Sequence, residues 1–275
     1  MNFHFSIINY LSYDGAMPTA QQTIDWYDEH AEEYAASLKG NEASPYHIYY
    51  EKPATFGLLP DLRGKSVLSL GCGSGMDSHS LKRQGASRSV GIDLSKKLIQ
   101  IAKLEHPDCE FVVGNMEQLP FNNEEFDLVY SSFALHYLPS YEKALKEAFR
   151  VLKPAGVIIF SAGHPLGPSM ESVISNNEVQ DMRLGILKDR VAKTKKVFGN
   201  YLSNETFRTH IPEFDVTFWK QPISQTVSQL ADAGFVIEKC IEPKPQSEFK
   251  KIDPMAYERL LRIPDVIVFR AKKPH

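Results

Sequence analysis

Three glycines alternate through Gly71-Cys72-Gly73-Ser74-Gly75, and Asp93 follows twenty residues after Gly73. Glycines spaced in this way let backbone approach a ligand closely and aim N–H groups at it. A helix starting just after such a turn favours a carboxylate or phosphate at its N-terminus. An acidic residue at the end of the next strand can accept from both hydroxyls of a ribose. Alone, the glycines describe a tight turn. With Asp93 they describe a nucleoside site. The sixth position of the loop is Met76, so the Gly-x-Gly-x-x-Gly spacing of dinucleotide binders is not met. Two histidines are candidate proton carriers, because their ordinary pKa lies near neutrality. They are His136, in Ala134-Leu135-His136-Tyr137, and His164, before Pro165. Each also has a bland reading, His136 as a packed residue and His164 as a substrate contact without proton transfer.

These residues fall where strands end. Short apolar runs at Lys65–Leu70, Ser89–Ile92, Cys109–Val113, Phe126–Ser131 and Val157–Ser161 read as strands. Helical segments lie between them: one runs to about Gln84, one at Ser95–His106 is opened by Ser95, and one spans Ser140–Leu152. Pro154-Ala155-Gly156 stops the last of these. Such alternation predicts a parallel sheet covered on both faces. Two helices precede it, at Thr23–Leu38 and about His47–Leu59. After Gly163 the alternation lapses until a helix at Ser224–Ala233, a strand at Phe235–Ile241, a helix at Pro254–Leu261 and a strand at Asp265–Phe269. We therefore expect an N-terminal extension with lid helices over 1–60, and one α/β domain over 61–275 with an insertion at about 164–219.

The chain has 275 residues, 43% hydrophobic and 24% charged, with a net charge of −3. That excludes a generally basic nucleic-acid binder, and no nucleic-acid partner is expected. No apolar run reaches the roughly 18–20 residues of a membrane helix, so no membrane partner is expected either. The opening MNFHFSIINY lacks the basic start of a secretion signal and reads as an extension. Cys72, Cys109 and Cys240 are far apart, without zinc-ligand spacing. No metal site is expected, and the reduced cytoplasm is the expected setting.

At this point the sequence resembles the class I S-adenosylmethionine-dependent methyltransferases, in their small-molecule, methyltransferase type 11-like branch. VLSLGCGSG (67–75) is similar to the first motif of that family and GIDLS (91–95) to its ribose-binding motif. GNMEQLPFNNEEFDLVYSSFALHYL (114–138) resembles the run from adenine loop to fourth strand. RVLKPAGVIIF (150–160) resembles the passage into the fifth strand, and YDEHAEEYAASL (27–38) the helix that often lids the cofactor. The resemblance implies a Rossmann-like three-layer sandwich with a seven-stranded, mostly parallel sheet whose last strand is antiparallel. It implies S-adenosylmethionine as cofactor, S-adenosylhomocysteine as product and a small-molecule methyl acceptor. It assigns Gly71, Cys72, Gly73 and Gly75 to the methionine part, Asp93 to the ribose and Leu94 to the adenine face. Asn115 and Met116 would border the adenine edge, and Ser131 would line the methionyl side. Tyr34 either turns an aromatic face to the sulfonium, holds the cofactor carboxylate or packs its helix. Two positions depart from the pattern. Ser69 stands where members carry an acidic residue that supports the cofactor's amino group, and Asn115 stands where many have Asp.

Other readings remain open on the residues. A nucleotide-dependent oxidoreductase would use the same sheet, although Met76 argues against it. A non-catalytic cofactor-binding protein would find its support in Ser69. In the insertion, Arg183–Lys196 holds six basic residues against Asp189, either steering an anionic substrate or forming a solvated helix face. Phe198, Tyr201, Phe207, Phe214, Phe218 and Trp219 either roof an apolar pocket or make a small core of their own. Tyr27 either faces the sulfonium or packs its helix.

Overall fold

The inner strands of the central sheet are largely apolar because both of their faces are covered, while the edge strands Glu110–Val113 and Val236–Ile241 keep exposed positions. Leu68, Leu70, Val129, Ile158, Phe160, Ile267 and Phe269 turn one way, into a core with Ala144, Leu145, Ala148 and Leu230. Their neighbours Val67, Leu128, Tyr130, Val157, Ile159, Val266 and Val268 turn the other way, onto Tyr46, Tyr50, Leu81, Ala256 and Leu260. This period of two, buried on both sides, is what makes the runs read as continuous hydrophobic segments. Full burial of each such side chain contributes about 1.5–3 kcal/mol.

The computed structural model describes residues 10–12, 20–39, 44–175, 178–189, 191, 193–209 and 216–275. Its seven-stranded sheet comprises β1 Ser66–Leu70, β2 Arg88–Asp93, β3 Glu110–Val113, β4 Phe126–Ser132, β5 Leu152–Gly163, β6 Val236–Ile241 and β7 Val266–Lys272. The order is β3-β2-β1-β4-β5-β7-β6. Pairs from β3 to β5 are parallel, and β7 runs antiparallel to both β5 and β6. The expected sheet, mostly parallel with an antiparallel last strand, is therefore the one observed. Its order reverses between β1 and β4, and ligands of open α/β sheets bind at such a point, outside the carboxyl ends of the strands.

Among the described residues eight α-helices accompany the sheet: α1 Ala20–Glu29, α2 Ala31–Ser37, α3 Lys52–Phe56, α4 Met76–Arg83, α5 Lys96–Glu105, α6 Glu142–Val151, α7 Ile223–Asp232 and α8 Pro254–Leu260. Ser95 caps α5 as expected, accepting from Leu98 N. Among the described residues no helix is long and apolar enough to cross a membrane.

Four expectations are corrected. The single helix over Thr23–Leu38 is two, broken at His30, whose Nδ1 bonds Trp26 O and whose backbone leaves helical geometry. The second stretch begins as a π-helical turn, His47–Glu51, before α3. Such turns are over-represented at functional sites. Strand β5 starts at Leu152 rather than Val157, because Leu152 already pairs with Phe126 and the chain passes Ala155 at φ 63° through a register shift. The insertion is built of antiparallel hairpins. Glu171–Ser175 pairs with Glu178–Arg183, and Gly185–Asp189 with Thr194–Phe198. The basic Arg183–Lys196 segment is thus largely an exposed hairpin, not a helix face. Ile186, Leu187 and Val197, beside the lysines of these two strands, are exposed with them. Glu205–Thr209 pairs with Thr217–Lys220 and with Tyr10–Ser12, which joins the N-terminal extension to the insertion. The rest of MNFHFSIINY, Gly40, Asn41, Arg190, Phe214 and the side chain of Phe207 lie outside the described residues.

Candidate active site

A cavity of about 390 Å3 opens over the carboxyl ends of β1, β2 and β4. Gly71, Cys72 and Gly73 form its floor, and the backbone there requires glycine. Gly71 has φ 62°, and a Cβ added to it would lie 2.3 Å from Ala134 Cβ. Gly73 has φ 53°, and its added Cβ would reach Tyr34 Cε1 at 3.4 Å. Gly75 does not line the cavity. It ends the turn at φ 86° and starts α4, where a Cβ would strike the Phe111 ring at 2.7 Å.

Asp93 closes β2 on the cavity wall. Its Oδ2 accepts from Gly73 N at 2.8 Å and its Oδ1 from Ser95 N at 2.9 Å. One carboxylate therefore ties the glycine loop to the start of α5. Loss of water pushes its pKa up, and the N–H groups of Ser95, Gly73 and Leu94 pull against that rise. Leu94 and Met116 line the cavity beside it. Asn115 lines it too, with its Oδ1 engaged by Glu117 N at 2.8 Å. Ser131 is behind the wall, donating to Leu70 O at 3.2 Å, and its neighbour Ser132 is the residue that reaches the cavity.

Tyr34 of α2 covers Gly73, and Tyr27 of α1 meets it edge-on, ring centroids 5.2 Å apart. The Tyr27 hydroxyl lies 2.5 Å from that of Tyr137. Asp28 holds α1 in place, accepting from Ser95 Oγ and from Lys97 N. Burial pushes both the Tyr27 and Tyr34 hydroxyls above their ordinary range, so they stay protonated.

The far end of the cavity is a ring of aromatic groups. Phe218, from the insertion, stands edge-on to His136 at 4.5 Å and against Tyr137 at 5.1 Å. Phe133 meets His47 edge-on at 5.4 Å. Phe133 holds φ 48°, a left-handed backbone rare for a bulky side chain and of a kind that clusters at functional sites. His136 is buried, and its Nδ1 accepts from Gly163 N at 3.4 Å, which puts the ring proton on Nε2. Among the described residues Nε2 has no partner. Burial lowers the pKa of His136 to about 3, so the ring is neutral. His164 does not line the cavity. Its Nδ1 accepts from Leu166 N, its Nε2 lies 3.0 Å from Glu242 Oε1, and burial lowers its pKa.

Several cavity residues escaped sequence reasoning. Lys52 bonds Asp77 Oδ2 at 2.6 Å and Ser132 Oγ at 2.9 Å. Below it Glu51 is fully buried, accepting from Ser132 and Ser161. Burial raises the Glu51 carboxyl, but Lys52, His47 and Ser161 outweigh it and hold the pKa down at about 2. The available signal was the adjacent pair Glu51-Lys52 inside an apolar helical stretch. Away from the cavity, His79, Asp108 and Cys109 bring metal-ligand types together on the surface.

A nucleoside cofactor with an amino-acid tail fits these residues. The floor is closed to side chains, Asp93 stands at the end of β2, and the cavity continues past Ser132 to charged groups. Comparison with known proteins points the same way. The family model described as "Methyltransferase domain" matches residues 68–160. The chain is 30% identical over 202 residues to the phthiotriol/phenolphthiotriol dimycocerosates methyltransferase 1 of Mycobacterium ulcerans, across 70% of this chain and 72% of the relative. It is 36% identical over 122 residues to the demethylmenaquinone methyltransferase of Lactococcus lactis, across 42% of this chain. The chain spans about half the length of two of the curated relatives it matches, 54% and 48%. Among solved structures, an S-adenosylmethionine-dependent methyltransferase from Mesorhizobium loti overlays 81% of this chain and 97% of its own, with TM-score 0.66 and 27% identity. Identity sustained over more than two thirds of one relative, together with a fold shared with another, settles the kinship: the chain belongs to the S-adenosylmethionine-dependent methyltransferases.

Proposed function

We propose that the chain transfers a methyl group from S-adenosylmethionine to an apolar, ring-bearing small molecule, in a reducing cytoplasm. One observation carries the reading. A single cavity has the glycine floor and Asp93 at one end and the aromatic ring of Tyr137, His136, Phe133 and Phe218 at the other. When bound, S-adenosylmethionine supplies a methyl already activated on a sulfonium, so the protein needs mainly to align and to exclude water. Gly71 and Gly73 offer backbone to the cofactor, Asp93 its ribose site, and Leu94, Asn115 and Met116 the adenine border. Tyr27 and Tyr34 close the wall over the floor, and their hydroxyls stay protonated. Two relatives are named for demethylmenaquinone and for phthiotriol and phenolphthiotriol dimycocerosates. A large apolar acceptor of that kind suits the aromatic end.

We read His136 as a hydrogen-bond donor to the acceptor rather than a base, since its Nδ1 is engaged and its buried Nε2–H is unmatched. His164 is read as a structural residue of the turn after β5. The insertion at 164–219, which contributes Phe218 and Pro168, acts as a cap on the acceptor end of a 61–275 domain, with the lid helices in 1–60. Three unpaired cysteines suit the reducing setting.

The test is release of S-adenosylhomocysteine from S-adenosylmethionine over a panel of phenols and hydroquinones, each of which gives up a proton as it takes the methyl, with calorimetry of both cofactor forms. Binding of NADH in place of S-adenosylhomocysteine would overturn the reading in favour of an oxidoreductase. Cofactor binding without turnover on any acceptor would favour a binding protein.

A further inference from the structure

The family resemblance leads one to expect an acidic residue two positions before the first glycine, and here that position is Ser69. Ser69 is buried, and its Oγ has no partner among the described residues. Nothing at that position can neutralise an ammonium group. A carboxylate does line the cavity elsewhere, on the first turn of α4. Asp77 stands there with Lys52 from α3, Nζ to Oδ2 2.6 Å, and both side chains keep about a fifth of their exposure, 21% and 24%.

We propose that Asp77 and Lys52 hold the amino-acid end of the cofactor, Asp77 its ammonium and Lys52 its carboxylate, replacing the acidic group that Ser69 lacks. This rests on the cavity being an S-adenosylmethionine site. Three features support it. First, place: both residues line the same cavity as Gly73 and Asp93, and Lys52 bonds Ser132 Oγ on its wall at 2.9 Å. Second, charge: Glu51, Asp77 and Lys52 sum to −1, whereas the cofactor carries an ammonium, a carboxylate and a sulfonium that sum to +1. Third, support: Ser132 Oγ accepts from Lys52 at 2.9 Å and donates to Glu51 Oε1 at 3.1 Å, so a fully buried carboxylate fixes the ammonium from below. Glu51 does not line the cavity and is a positioning residue. An ion pair drawn partly out of water adds little net stability by itself. A doubly charged ligand end gives such a pair something to do.

Two ligands separate the possibilities. S-adenosylhomocysteine has the amino-acid end, and 5′-methylthioadenosine keeps the nucleoside and sulfur without it. Calorimetry is run on the native chain, Lys52→Met, Asp77→Asn and Lys52→Arg, each checked for fold by circular dichroism. Lys52→Met and Asp77→Asn should each weaken S-adenosylhomocysteine about tenfold or more, the scale of one charged hydrogen bond. 5′-Methylthioadenosine should stay within about twofold, and Lys52→Arg should retain most affinity for both ligands. Unchanged S-adenosylhomocysteine affinity, or equal loss of both ligands, overturns the proposal. Should Lys52→Met not fold, the isosteric Asp77→Asn decides alone. A native chain that binds neither ligand would refute the cofactor reading itself, a result distinct from either of those.

Discussion

Asp93 is the residue on which the cofactor reading can be tested hardest. Each carboxylate oxygen has two lone pairs. One on Oδ2 is used by Gly73 N and one on Oδ1 by Ser95 N. One on each oxygen remains for the two ribose hydroxyls. A hydrogen bond to a charged group contributes about 1.5–3 kcal/mol, and every 1.4 kcal/mol is about tenfold in affinity. Asp93→Asn should therefore weaken S-adenosylhomocysteine by at least about tenfold, and by more if both hydroxyl contacts fail. The same substitution sets an NH2 against one of two backbone donors. The resulting unsatisfied donor costs about 1–3 kcal/mol, seen as a lower Tm of a few degrees per kcal/mol. Loop damage and lost ribose contact must be separated, and a 2′-deoxyribose analogue does so by calorimetry. The native chain should lose about tenfold with the analogue, and Asp93→Asn should lose little further. Non-additivity of that kind arises when the two removed groups touch or share a hydrogen-bond network, and groups far apart add. An equal penalty for the analogue in both proteins would show that Asp93 does not read the ribose.

The neutral His136 leads to a second expectation: with its pKa near 3, the pH profile of kcat/KM should show no inflection from it between about pH 5 and 9. His136→Gln should keep more activity than His136→Phe, and an inflection near pH 6.5 that vanishes in the variant would contradict the donor role. Glu51, held at about 2 against an ordinary 4.5, contributes stability that is complete above about pH 4.5 and lost as pH falls towards 2. Denaturant titrations should show the native chain losing on the order of 3 kcal/mol more than Glu51→Gln across that window, and parallel curves would refute the assignment. The hairpins over residues 171–198 should exchange their amides quickly without acceptor and slowly with it. Core-like protection in its absence would make the insertion a rigid layer.

The sheet was legible because its determinants are local. Val157 to Phe160 are apolar on consecutive positions, Val67 to Leu70 and Phe126 to Tyr130 are apolar but for Ser69 and Asp127, and glycine or capping signals bound them, so composition and punctuation agree. The glycine floor and Asp93 were legible for a related reason. Both sit at strand ends, where the topology leaves one place for a ligand. The insertion was not legible. Among the described residues its strands pair with one another or with Tyr10–Ser12 and not with the central sheet, so they lack the apolar runs that the central sheet imposes. Lys52 and Asp77 were missed because the signal is spatial. They lie 25 positions apart and meet only when α3 packs beside the first turn of α4. His164 shows the reverse error. Its place after a strand suggested a ligand contact, yet the turn at Pro165 takes the side chain back to Leu166 N and Glu242.

The cavity is divided by charge, and the division bears on catalysis. At the glycine end stand Asp93, Asp77 and Lys52, held by backbone N–H groups, serines and a buried carboxylate. At the far end stand Tyr137, kept protonated by burial, a histidine kept neutral and two phenylalanines. Displacement from a sulfonium disperses a positive charge as the methyl moves, and a site with fixed dipoles need not reorganise when this happens. A charged base beside the acceptor would require solvent that the aromatic ring excludes. In the proposed role, the burial that keeps His136 neutral would also strengthen its Nε2–H as a donor, because in an apolar surrounding an unmatched N–H seeks the acceptor's oxygen. Selectivity then follows from the same geometry. An acceptor that brings a hydrogen-bonding oxygen on an apolar ring satisfies Nε2 and fills the space under Phe218, and a purely apolar one leaves the donor orphaned at about 1–3 kcal/mol.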